Sequence, residues 1–138
     1  MEAPPLYLIT ALARSGALDQ AWALFEAGGY SASVTDSSAL AVKGRLLKDR
    51  GLRAAGGERR AFFVESAKAY AAADALSPQP YLLINVATLA FLSGDQERGS
   101  DLARATLERL DAPAHVSETP YWLAATRAEA LLLCDDQE

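Results

Sequence analysis

Glycine marks the places where one helical segment stops and the next begins, and this punctuation limits the fold more than any other feature of the chain. Leu8 and Leu12 lead to Ser15-Gly16, which is followed by Ala21 and Phe25. The same order returns later: Val86-Ala87 and Ala90 lead to Ser93-Gly94-Asp95, which is followed by Gly99 and Ala103. A middle unit is interrupted, running Gly44, Leu47 and Gly51, then extra residues around Ala54 to Arg60, then Tyr70, Ala73 and Pro78. The stretch from Tyr121 to Asp135 repeats the first helix of a further unit. A single hairpin of this size cannot bury its own apolar stripe, so such units are expected to stack.

The spacing predicts seven helices in an all-α fold. The first runs from about Pro5 to Ser15, with Pro suited to a first turn and Gly16 to the end. The second starts near Leu18 and stops at Gly28-Gly29. The third follows Thr35 or Asp36, both good N-cap types, and closes at Gly51. A loop over Ala54–Gly57 precedes the fourth, from about Glu58 to Leu76, with Phe62, Phe63, Ala67, Tyr70 and Ala73 inward; Pro78 and Pro80 end it. The fifth, about Tyr81 to Leu92, is apolar nearly all round and is expected to be central. The sixth spans about Gln96 to Leu110 behind Asp95, and the seventh runs from Pro120 to about Cys134. Alanine-rich composition with few β-branched residues favours helices and close helix crossings.

This order resembles the tetratricopeptide repeat (TPR). In that pattern a small residue sits midway through helix A, Gly at the turn, a small residue early in helix B, an aromatic four later and Pro at the end. The resemblance implies one domain over 1–138, an α-α superhelix of antiparallel hairpins, with units at about 4–34, 35–78 and 79–112 and a half unit at 117–136. Two longer quotations point to a narrower likeness: Tyr81-Leu82-Leu83-Ile84-Asn85-Val86-Ala87-Thr88-Leu89, and Tyr121-Trp122-Leu123-Ala124-Ala125-Thr126-Arg127-Ala128-Glu129-Ala130. Over roughly Ala67 to Asp135 the chain is similar to the TPR-like TRAFs-binding domain, which also occurs in many bacterial proteins, so a bacterial source is expected. The motifs are mostly packing residues and speak for fold more than for function.

The TPR resemblance implies a groove lined by helix A side chains. These would be Leu6, Thr10, Ala13 and Arg14 from the first unit, Ala41, Arg45, Lys48 and Asp49 from the second, and Tyr81, Ile84, Asn85, Thr88 and Phe91 from the third. Asn85 falls where many TPR proteins bond a peptide backbone, whose buried amides need partners. The position before it is Ile84, where the chaperone-type clamp has Lys, so no clamp for chaperone tails is expected. Ile84 and Phe91 are equally compatible with a place in the core, since the fifth helix has no polar side.

Catalytic chemistry finds no support. His115, the only histidine, stands in a Pro/Ala loop without metal-ligand neighbours, and Cys134 lacks a base in its sequence context. Gly56-Gly57 is followed by no Lys-Ser/Thr, and no nucleophile elbow, HExxH or dinucleotide fingerprint occurs. No metal or cofactor is expected. The basic residues Arg45, Lys48, Arg50, Arg53, Arg59 and Arg60 cluster near the third and fourth helices; such runs are mostly solvated faces, and the functional alternative is a patch for an acidic peptide. The net charge of −5 argues against nucleic acid as a partner, and no apolar run approaches the ~20 residues a membrane span needs. The first residues lack a basic n-region, and with one cysteine a cytoplasmic setting is expected.

The seventh helix leaves Tyr121, Trp122, Leu131 and Leu132 as an apolar repeat end that a repeat array normally caps. A longer parent chain, in which Asp135 and Asp136 start the next helix, or a homodimer through this helix would cover it. The expected function is a non-catalytic interaction module that binds a partner peptide or helix in its groove. The alternative is a ligand-sensing domain that holds a small hydrophobic molecule beside Ile84 and Phe91.

Overall fold

Two turns of this chain are built alike, and they set its hairpin geometry. The computed structural model describes residues 3–111 and 120–135, leaving aside the side chains at 120–122 and 135. Helix α1 (Leu6–Arg14) turns into α2 (Leu18–Ala27) through Gly16, and α5 (Pro80–Leu92) into α6 (Gln96–Asp111) through Gly94. Both glycines have left-handed backbone, φ 93° and 100°, which costs other residues strain. At the first turn Gly16 N–H donates to Ala13 O (3.1 Å) and Ala17 N–H to Leu12 O (2.9 Å). At the second, Gly94 N–H donates to Phe91 O (3.1 Å) and Asp95 N–H to Ala90 O (2.9 Å). The paired bonds satisfy helix-end carbonyls and reverse the chain in the same way twice.

Between them lies the longest hairpin, α3 (Ser37–Arg53) and α4 (Gly56–Leu76), and α7 (Pro120–Asp135) follows α6. A short 3-10 turn at Tyr30–Ala32, which no sequence signal marked, leads out of α2. Asp36 caps α3: its carboxylate accepts from Ser38 N–H (2.9 Å) and Ala39 N–H (3.3 Å). Asp95 does the same for α6, accepting from Arg98 N–H (3.1 Å). Replacing Asp36 with alanine should therefore lower stability by about 1 kcal/mol, while Asp36→Asn stays near neutral, as urea unfolding would show.

The end of α3 departs from expectation. Gly51 does not stop the helix; it is buried within it, because a Cβ there would lie 2.7 Å from the Phe63 ring. The helix runs on to Arg53 and is closed from α4 by Arg59. Its Nε donates to Gly51 O (3.1 Å) and Ala54 O (2.8 Å), and its Nη2 to Leu52 O (3.1 Å). A cation on the last carbonyls also suits the helix dipole. The expected loop over 54–57 shrinks accordingly, since α4 starts at Gly56.

Consecutive helices pack on one another, and the core divides into three clusters. Ile9, Ala13, Leu18, Ala21, Phe25 and Leu46 join α1, α2 and α3. Leu40, Phe63, Tyr70, Ala73, Leu82, Val86 and Leu89 join α3, α4 and α5. Ile84, Ala87, Ala103, Ala130 and Leu133 join α5, α6 and α7. Glycine permits the closest crossings: Gly44 lies under the Tyr70 ring, and Gly99 stands against Ala87 O and Phe91 of α5. Buried Ser66 donates to Gly44 O at 2.6 Å, so α4 binds the α3 backbone at that crossing. On α4, Phe63, Tyr70 and Ala73 are buried as expected, whereas Phe62 and Ala67 are half-buried and Ser66 and Ala69 take inward places. The result is an all-α superhelix of antiparallel hairpins.

Candidate interaction face

The odd-numbered helices line up side by side. α1 touches α3 and α5 touches α7, while a hydrogen bond from Lys48 Nζ to Asn85 Oδ1 (3.2 Å) spans α3 and α5. Asn85 in turn donates from Nδ2 to Tyr81 O at 2.7 Å, so its amide is held at both ends. One turn on, Thr88 Oγ1 donates to Glu129 Oε2 of α7 at 2.6 Å. On α3, Arg45 Nε lies 3.7 Å from Asp49 Oδ2. The face is thus crossed by a polar line from α3 through α5 to α7.

Tyr70 reaches the same place from α4, behind this line. Burial raises its phenol well above the ordinary tyrosine range; Arg45 opposes the rise, and Asp49, Tyr81 and Glu129 add to it. The phenol therefore stays a neutral donor at ordinary pH.

The expected groove residues separate into three groups. Arg45, Lys48, Tyr81, Asn85 and Thr88 come together at the polar line. Thr10 is half-buried and Arg14 exposed on α1, away from the hydrogen bonds of that line. Ile84 is not a lining residue: at 3 % exposure it packs with Ala87, Ala103, Ala130 and Leu133. Phe91 is half-buried against that cluster and lies over Gly99. The physical reason is that α5 sits between two helix pairs, and its apolar sides are both occupied.

At the other end of the array Leu131 and Leu132 are exposed. Tyr121 and Trp122 belong to the first turn of α7, and their side chains lie outside the described residues, as does His115. Cys134 is a half-buried thiol against the third cluster. Among the described residues no group of His, Cys, Asp and Glu could hold a metal ion.

Half of the basic cluster proves to be structural. Arg50 lies 4.2 Å over the Trp22 ring. Arg53 donates to Gly16 O at 3.0 Å, tying α3 to the first turn, and Arg59 closes α3. Sequence reasoning missed Glu129, which stands in a motif made mostly of packing residues; its lone carboxylate among Ala128, Ala130 and Leu131 is the available signal. Two open clefts, of about 440 Å³ by Asp95, Arg98 and Asp101 and about 280 Å³ by Asp19, Arg50 and Phe62, lie away from the polar line.

The model of the Tetratricopeptide Repeats-Sensor (TPR-S) family matches residues 7–90. Neither the curated proteins nor the solved structures provide a significant match. Among the described residues no helix is long and apolar enough to cross a membrane.

Proposed function

From the chain's place in the Tetratricopeptide Repeats-Sensor family, to which a match over more than half its length assigns it, we propose that it is a non-catalytic module that holds a peptide or helix of a protein partner on the face of its odd-numbered helices. The observation that carries this reading is the polar line across three helices, in which Lys48 of α3 donates to Asn85 of α5 and Thr88 of α5 donates to Glu129 of α7. A bound peptide brings amides that must find partners, and this line offers donors and acceptors on a framework already fixed by its own hydrogen bonds. Units at about 4–34, 35–78, 79–112 and 117–136 would then each contribute a helix A to the face. A narrower kinship with TRAFs-binding domains, over 67–135, is part of the same proposal. On the same reading the exposed Leu131 and Leu132 serve a protein contact.

The sensor in the family's name favours a second reading, in which the occupant is a small molecule. It would sit on the polar line, because side chains fill the space around Ile84. Capture on the immobilised full chain separates face from bystander. Lys48→Glu should reduce recovery of the partner at least about tenfold, the scale of a lost charge-assisted contact. Arg104→Glu, on the solvent side of α6, should leave recovery intact while circular dichroism of both variants matches the parent. Equal recovery by both variants would exclude the face.

A further inference from the structure

We infer that the first hairpin, α1 with α2, is a hinged unit that swings as one body on α3, about residues 33–35. The apolar seam there is one-sided. Among the described residues, the first cluster takes Ile9, Ala13, Leu18, Ala21 and Phe25 from the hairpin and only Leu46 from α3, with Val42 half-buried beside it. The corresponding seam between the second and third hairpins is shared evenly: Phe63, Tyr70 and Ala73 of α4 sit in one cluster with Leu82, Val86 and Leu89 of α5. α2 accordingly meets α3 more sparsely than α4 meets α5 or α6 meets α7. A body whose apolar contacts are mostly its own loses little burial on leaving its neighbour.

The polar fastenings of this seam are few. Arg50 lies 4.2 Å over the Trp22 ring, and Arg53 donates to Gly16 O at 3.0 Å. Beside both runs the open cleft of about 280 Å³, with Leu18 and Asp19 of α2 and Glu58 and Phe62 of α4 among its walls, which leaves the hairpin room to tilt. The link between the two bodies is equally slight. Tyr30 stays with the hairpin, stacked on Phe25 and donating to Pro4 O at 2.7 Å, while Asp36 caps α3. Between them residues 33–35 lie outside any helix, with Val34 76 % exposed. A hinge needs such a short stretch to absorb the change in backbone angles. On the face proposed above, Thr10 and Arg14 travel with the hairpin while Lys48 and Asn85 stay, so the swing carries α1 out of that face and back into it; the hinge itself needs no partner.

Thiol labelling of the full chain reads the swing directly. In a Cys134→Ser background, Leu46→Cys places a thiol at the first seam and Leu89→Cys one at the second, both at fully buried positions. The expected result is labelling at least about tenfold faster at the first seam. Backbone amides of α1 and α2 should exchange more slowly than that thiol reacts, since a swing leaves both helices intact. Arg50→Met, which keeps an apolar stem and loses the cation, should quicken the first thiol several-fold and leave the second unchanged. Where a cysteine variant fails to fold, methyl relaxation dispersion on the unaltered chain takes its place, with exchange expected at Val42 and Leu46 and absent at Leu82 and Leu89. Equal labelling of the two seams, amide exchange of α1 and α2 as fast as the labelling, an Arg50→Met without effect, or dispersion shared by both seams overturns the hinge. No partner takes part, so loss of the hinge leaves the interaction face standing, and capture indifferent to Lys48→Glu leaves the hinge standing.

Discussion

Replacing Phe25 with alanine is expected to lower stability by about 3–5 kcal/mol, a large share of what a domain of this size possesses. Phe25 is fully buried, with ring centroids 5.8 Å from both Trp22 and Tyr30. It is the largest side chain of the cluster that joins α1 and α2 to α3, where its companions include the small Ala13 and Ala21. Those residues cannot swell to refill the space, and Tyr30 is held by its own hydrogen bond to Pro4 O at 2.7 Å. The loss should be local as well as large. Hydrogen exchange in Phe25→Ala should quicken through α1 and α2 while α5, buried in the other two clusters, keeps its protection. Uniform acceleration along all seven helices would refute the division of the core into clusters.

Gly44→Ala comes second, and its sign is the point. In an exposed helix interior this change stabilises by about 1 kcal/mol through propensity alone. Here the new Cβ would meet Tyr70 ring atoms at 2.7, 2.8 and 2.9 Å. The ring is 6 % exposed and packed with Phe63, Leu82 and Val86, so it has no free direction in which to move. Overpacking of this kind costs about 1–3 kcal/mol, enough to reverse the gain. Urea unfolding should show a net loss, and pairing Gly44→Ala with Tyr70→Leu should recover part of it. A more stable Gly44→Ala would mean that the α3–α4 seam is looser than its distances indicate.

The helix plan was legible because its signals are local. Gly16 and Gly94 need left-handed backbone, Pro80 can only open a helix, and Asp36 and Asp95 are short acceptors beside free N–H groups. Gly51 misled for the same reason that it matters: a glycine that ends a helix and one that admits Phe63 look identical in sequence. The interaction face was half legible. Repeat register selected Lys48, Asn85 and Thr88, and they do meet neighbours across helices. Register could not sort the sides of α5, since Ile84 and Thr88 lie one turn apart on a helix whose apolar residues point everywhere; only the presence of Ala103, Ala130 and Leu133 makes Ile84 core. Arg53, Arg59 and Arg50 bind partners up to 37 residues away in the chain, a separation that no local pattern encodes.

The Arg59 latch on α3 also decides how the two longest rods meet. By holding three carbonyls from the neighbouring helix, one side chain closes α3, while the left-handed glycine of the junction, Gly56 (φ 59°), stands at the start of α4. The two rods so joined run 17 and 21 residues, where the first pair runs 9 and 10. Closure by a side chain of the partner rod ties the end of α3 directly to α4, so the tip of the hairpin is held by a residue of the very pair it joins.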